Sequence, residues 1–215
     1  MKIEYFGHSC FRLVSDNGTS VVTDPYTKVG YELPQGISAD VVTVSHHHFD
    51  HDYVKGVHGI EELVSTEDGH VFEDVAISGF VCNHDDKGGA LRGKNIVYFI
   101  DMDGLRICHL GDLGEPCSKE LLGKIGKVDV LLIPIGGTYT INAVQAKEYI
   151  EEIQPKIVIP MHYKPIDGTL DITDEAPFLR QFNAVIKTEK GQAIDVREYI
   201  SNEMQILFME RKNNA

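Results

Sequence analysis

Val41-Val42-Thr43-Val44-Ser45-His46-His47-His48-Phe49-Asp50-His51-Asp52 is the stretch on which the reading of this chain turns. Residues 41–44 are apolar or β-branched and make a short buried strand. Directly after them, four histidines and two aspartates crowd into seven positions. In extended backbone, residues two apart project to the same side, so His46 and His48 aim two imidazoles at one spot while His47 faces away. Past the turn, Asp50 and His51 reach a neighbouring spot. Imidazoles mixed with carboxylates suit a borderline divalent metal, and the set His-x-His-x-Asp-His supplies ligands for two such ions rather than one. The alternative is a solvated polar loop. Burying so many polar groups at a strand end without a metal costs several kcal/mol, and an exposed loop does not require this spacing.

Working outward, β-rich runs at residues 3–6, 10–14, 20–24 and 41–44 are separated by Asp16-Asn17-Gly18 and Leu33-Pro34-Gln35-Gly36 and read as an antiparallel meander. Further strands are expected at 62–65, 75–82, 95–100 and 105–110, the last two joined as a hairpin through Asp101-Met102-Asp103-Gly104. From residue 128 the pattern changes. Residues 128–134 are almost continuously apolar, 143–153 carry helical spacing through Val144, Tyr149, Ile150 and Ile153, and 156–160 are strand again, which makes a β-α-β unit. A short helix at 176–182 and a late strand at 205–209 precede a polar tail, 210–215, that is expected to fray. Half-exposed early strands and buried later ones predict a mixed α/β fold: two sheets with helices packed outside them, one domain across 1–215.

Composition narrows the partners. With 42% hydrophobic and 25% charged residues over 215 positions, the chain is an ordinary globular one rather than a disordered or fibrous one. No apolar run approaches the roughly 20 residues that span a bilayer. Met1-Lys2-Ile3-Glu4-Tyr5-Phe6 runs straight into strand alternation with no apolar signal core, so a cytoplasmic address without membrane contact is expected. Cys10, Cys82, Cys108 and Cys117 form no CxxC pair and read as small reduced hydrophobes. Twenty basic against 33 acidic side chains leave a net charge of −13, which opposes binding to a phosphate polymer. A small-molecule substrate is therefore favoured over nucleic acid, and homo-oligomerisation is left open.

Thr23-Asp24-Pro25, Asn83-His84-Asp85, Leu110-Gly111-Asp112-Leu113-Gly114 and Ile159-Pro160-Met161-His162-Tyr163 each set an aspartate or histidine beside a strand-like run. Together with Ser45-His46-His47-His48-Phe49-Asp50-His51, they resemble in kind and order the motifs of the metallo-β-lactamase superfamily. Gly7-His8-Ser9-Cys10-Phe11 and His109-Leu110-Gly111-Asp112 are similar to the branch of small bacterial and archaeal hydrolases that includes ascorbate-6-phosphate lactonase. The resemblance implies a four-layer αββα sandwich. It also implies one metal on His46, His48 and His84, a second on Asp50, His51 and His162, and Asp112 bridging the two. Zinc is the metal it favours, and the same ligands accept manganese or iron. In the implied mechanism a metal-bound hydroxide, acidified to a pKa near ~7 by two divalent ions, attacks the substrate. Asp50 then orients the nucleophile or relays a proton, and Asp112 is the second catalytic carboxylate. Two doubly charged ions less these carboxylates and hydroxide leave about +1, which favours a small anionic ester or lactone.

Other residues have supporting roles in this reading. Asp24 is placed to accept the free ring N–H of His46 or His51. His8, in a turn between strands, and His109, three residues before Asp112, are expected to line the pocket rather than to ligate. His58 and His70 read as solvent-exposed loop residues. The segment 136–142, which includes Tyr139, follows a buried strand and is a candidate for substrate contact. Asn142 with Gln145 equally fits a helix cap. Lys87, Arg92 and Lys164 are the bases nearest the motifs, and a solvated surface role is the simpler reading of each. The alternatives to a lactone or ester hydrolase are a phosphodiesterase or nuclease, a metal-dependent binding protein without catalysis, and an iron enzyme of oxygen or thiol chemistry.

Overall fold

The computed structural model describes residues 1–211. The first sheet begins with β1 (Lys2–Gly7), β2 (Cys10–Val14) and β3 (Ser20–Thr23), antiparallel as their short turns require. β4 (Val41–Thr43) and β5 (Glu62–Val64) then add in parallel. The expected meander therefore stops at β3. Residues 24–40 do not make a hairpin but cross over, burying Tyr26, Val29, Leu33, Ile37 and Ala39 on the sheet's outer face before β4 starts.

The second sheet opens with the antiparallel strands β6 (His70–Phe72), β7 (Val75–Asn83), β8 (Lys94–Met102) and β9 (Leu105–His109). His70 is thus in a strand rather than a loop, its Nδ1 2.7 Å from Glu62 Oε1. The helix α1 (Lys119–Ile125), capped by the Ser118 side chain, leads to β10 (Val130–Pro134), which lies parallel to β9. The expected β-α-β unit follows as β10, α2 (Ala143–Ile153) and β11 (Ile157–Met161). Every residue of β10 and β11 is buried. Asn142 and Gln145 form a reciprocal cap at the start of α2. The late helix α3 spans only Ala176–Leu179. β12 (Ile186–Lys187) and β14 (Gln205–Phe208) complete this eight-stranded sheet, and β13 (Ile194–Asp195) pairs with β1 to make the first sheet six-stranded.

Side-chain alternation builds two cores. Val21 and Val41 face the large core, whereas their neighbours Val22 and Val42 face the smaller one under the 24–40 crossover. The Tyr98 hydroxyl donates to the Val44 carbonyl at 3.0 Å, and Ile96 N–H donates to the Ser45 carbonyl at 2.9 Å, tying β8 to the end of β4. Leu121, Ile125, Ala146, Tyr149 and Ile150 bring α1 and α2 into the large core. The expected frayed tail is corrected at its first positions: Glu210 accepts from Gly191 N–H, and Arg211 packs over Tyr31 and pairs with Asp167. Its remaining positions, 212–215, lie outside the described residues. Among those residues, no helix is long and apolar enough to cross a membrane.

Candidate metal centre

All the candidate donors follow the C-terminal end of a strand: His8 after β1, His46 to His51 after β4, His84 after β7, Asp112 after β9 and His162 after β11. Asp24 likewise follows β3. His8, Asp24 and His162 have positive φ, at 53°, 38° and 51°. Such conformations cost about 1–3 kcal/mol each and persist where the surrounding structure holds them. Gly111 makes a close approach possible, because a Cβ there would run into Asn95 Oδ1 and Ser45. That contact seats the turn carrying Asp112 against the turn carrying the histidines.

The site's donor atoms fall into three groups, each within 4.8 Å: His46, His48 and His84; His46, His51 and Asp112; and His8, Asp50, His51 and His162. Asp112 is central. Its Oδ1 lies 3.2 Å from His51 Nε2, and its Oδ2 lies 3.3 Å from His84 Nε2 and 3.2 Å from His162 Nε2. Nevertheless His46 Nε2, His51 Nε2, His162 Nε2 and Asp112 Oδ1 are buried without a directed hydrogen bond. Orphaned polar atoms are costly and uncommon in folded proteins, and a cluster of them aimed at one volume could hold a cation. The donor set, imidazoles with carboxylates, fits a divalent metal ion.

Asp24 orients two of the imidazoles. It accepts from His51 Nδ1–H at 2.8 Å, from Ser45 N–H at 2.8 Å and from the Ser45 hydroxyl at 2.5 Å. Since that hydroxyl donates to Asp24, its lone pair accepts from His46 Nδ1–H at 3.0 Å. Both rings therefore turn Nε2 inward. Asp24 reaches His51 directly and His46 through Ser45.

The beta-lactamase superfamily domain model matches residues 2–162. The chain belongs to the metallo-β-lactamase superfamily. A UPF0173 metal-dependent hydrolase of Thermoplasma acidophilum is 30% identical over 193 residues, covering 78% of this chain and 85% of the relative. A UPF0173 protein of Pyrococcus furiosus is 32% identical over 205 residues, covering 84% and 90%. A solved metallo-β-lactamase superfamily protein of Thermotoga maritima is 33% identical with a TM-score of 0.79, and the match covers 98% of this chain and 99% of that one.

Electrostatics in this centre favour neutral imidazoles at His8, His46 and His84. Burial takes the His46 pKa down to about 2 and that of His8 to about 4, and it lowers His84. At His51 burial also opposes charge, but Asp112 and Asp24 outweigh it and raise the pKa. The carboxylates that draw a proton there would draw a divalent cation in its place. Burial likewise opposes ionisation of Asp112, yet His162 and His51 hold its carboxyl well below the usual range.

The remaining expected residues separate. The His109 ring donates from Nε2 to the Ser9 carbonyl at 2.8 Å and accepts Gly111 N–H at Nδ1 at 3.1 Å, so both nitrogens are spent on backbone. His8 is buried with Nε2 3.2 Å from Asp50 Oδ2. His47 is exposed. Tyr139 lines a cleft of about 520 Å3 with His48, Asp50, His84 and Asp112, and Phe49, Arg92 and Leu170 join it. Three contributors escaped the sequence reading. Ser45 relays Asp24 to His46, and Asn95, buried in β8, accepts Asp112 N–H at 2.8 Å. Asp85 accepts four backbone N–H groups of the 87–92 loop, for which Asp85-Asp86-Lys87-Gly88-Gly89 is the visible turn signal.

Proposed function

We propose that this metal-dependent hydrolase of the metallo-β-lactamase superfamily cleaves a small anionic ester or lactone at a centre for two divalent ions, zinc being the favoured metal. His46, His48 and His84 would hold one ion, Asp50, His51 and His162 the other, and Asp112 both. When bound, the ions polarise the scissile carbonyl or phosphoryl oxygen and acidify a water nucleophile. The observation that carries the reading is the convergence of orphaned donors on Asp112: three histidine Nε2 atoms and a carboxylate oxygen are buried without directed partners.

The chain's own groups divide the remaining work. Asp24 holds His51 and, through Ser45, His46 in the ligating tautomer. Asp50 lines the cleft with Oδ2 beside His8 Nε2, which places it to pass a proton to the leaving oxygen. Phe49, Tyr139 and Leu170 give the cleft an apolar wall beside these groups.

Elemental analysis after metal loading should find about two ions per chain, because seven ligands are too many for one tetrahedral ion. Saturation at a single ion would end the dinuclear reading. Turnover is measured on lactones and esters beside single-stranded RNA and a simple phosphodiester at one metal and ionic strength. The −13 charge predicts preference for the compact substrates. Efficient RNA cleavage without lactone or ester turnover would replace this reading with a nuclease.

A further inference from the structure

The cleft carries one arginine, and among the described residues that arginine forms no ion pair. Arg92 lines the cleft of about 520 Å3 and also an adjoining pocket of about 290 Å3. Its guanidinium stands over the Tyr139 ring, 5.3 Å from the centroid. Among the described residues, Arg106, Arg197 and Arg211 pair with aspartates, whereas Arg92, like Arg180, does not. Two aspartates line the pocket beside Arg92, and both are engaged elsewhere. Asp85 gives its oxygens to the backbone N–H groups of Lys87, Gly89, Leu91 and Arg92, and Asp86 pairs with Lys87.

The same bonds explain how Arg92 gets there. Asp85, next to the candidate ligand His84, closes the 85–92 loop and holds Arg92 by its own N–H at 2.8 Å. Tyr139 braces the other end of the residue. A guanidinium stacked on an aromatic ring keeps its in-plane N–H fork for an external oxyanion. Phe49, 48% exposed, and Leu170 give the cleft an apolar wall.

We propose that Arg92, braced on Tyr139, recognises an oxyanion, carboxylate or phosphate monoester, that the substrate carries away from its scissile bond, while the substrate's apolar body lies on Phe49 and Leu170. This rests on the hydrolase reading and narrows the substrate to an amphipathic anion. Arg92 is a specificity residue, separate from the metal-holding set.

The test compares the metal-loaded full chain with Arg92→Ala and Arg92→Lys, after elemental analysis has shown equal metal content. Substrates are p-nitrophenyl hexanoates ending in a carboxylate, a phosphate or a neutral methyl ester. Arg92→Ala should raise KM for the favoured charged ester about 10–100-fold, as loss of a charge-assisted pair does, with a much smaller change in kcat and in the neutral ester's KM. Whichever charged ester loses more names the oxyanion. Arg92→Lys should retain phosphate better than carboxylate, because an ammonium is a point charge without the fork. Calorimetric binding of phenylbutyrate and phenyl phosphate, with phenylbutanol as neutral control, reads the same site without turnover. Binding that depends on Arg92 with no ester hydrolysed by the wild type would keep the anion site and remove the ester reading. Equal effects on charged and neutral probes, or none on the charged ones, would overturn the proposal.

Discussion

Asp24 serves two histidines at once, and its three accepted hydrogen bonds leave no room for an amide. Asp24→Asn removes the charge and replaces one acceptor with a donor, so His51 or Ser45 loses its partner. Metal affinity should fall about 10–100-fold, the usual loss when a ligand's supporting carboxylate goes. Competition against a chelator reads it, and unchanged affinity would show that Asp24 does not orient the rings. His109 makes the opposite case. With both ring nitrogens on backbone groups, His109→Ala should cost about 1–3 kcal/mol of stability while leaving metal content intact. Asp112→Asn should reduce metal content and activity more than His109→Ala does. Loss of metal in His109→Ala, with retention in His84→Ala, would reverse these assignments.

At the scale of elements, the end of β13 is fastened to the turn after β2. Arg197 forks onto Asp16 at 2.7 and 2.8 Å and onto Asp195 at 2.6 and 2.9 Å. This arginine lowers the Asp16 carboxyl and brings that of Asp195 to about 2. Both folded-state values lie below the ordinary carboxylate value of about 3.9. Their contribution is therefore complete above that value and is lost as pH falls through the lowered values. Urea unfolding of Arg197→Ala should show a stability deficit near neutrality that narrows between about pH 4 and pH 2. A deficit that stayed constant across that window would mean that Arg197 acts through packing. The pairs are exposed, so added salt should also shrink the effect.

For the whole molecule, the facing of the two sheets sets the distance between the histidine turn and the turn of Asp112. Tyr98, fully buried in β8, donates to the Val44 carbonyl just before Ser45 and stitches the sheets where the centre lies. Tyr98→Phe should cost about 1 kcal/mol in a denaturant titration, the typical worth of one such bond. No measurable cost would show that apolar packing alone holds the sheets in place there.

Much of this protein was written locally. The spacing of His46, His48, Asp50 and His51 after an apolar strand, the alternation in β1 to β3, the buried run of β10 and the cap of α2 are properties of neighbouring residues, and neighbours in sequence share one backbone geometry. What the local pattern left open was decided by groups far apart in the chain. The parallel docking of β4 depends on the 24–40 crossover finding an outer face to bury. Spacing cannot say that His109 spends both nitrogens on backbone, since one of its partners is 100 residues away. Nor does it separate Arg92 from the other bases near the motifs, because its lack of a counter-ion follows from how Asp85 and Asp86 are engaged in the folded loop. The sequence by itself determined which donors exist and which strand ends carry them. The tertiary structure alone decided which ring nitrogens face the centre, because that depends on where Asp24 and Ser45 stand when the strands align.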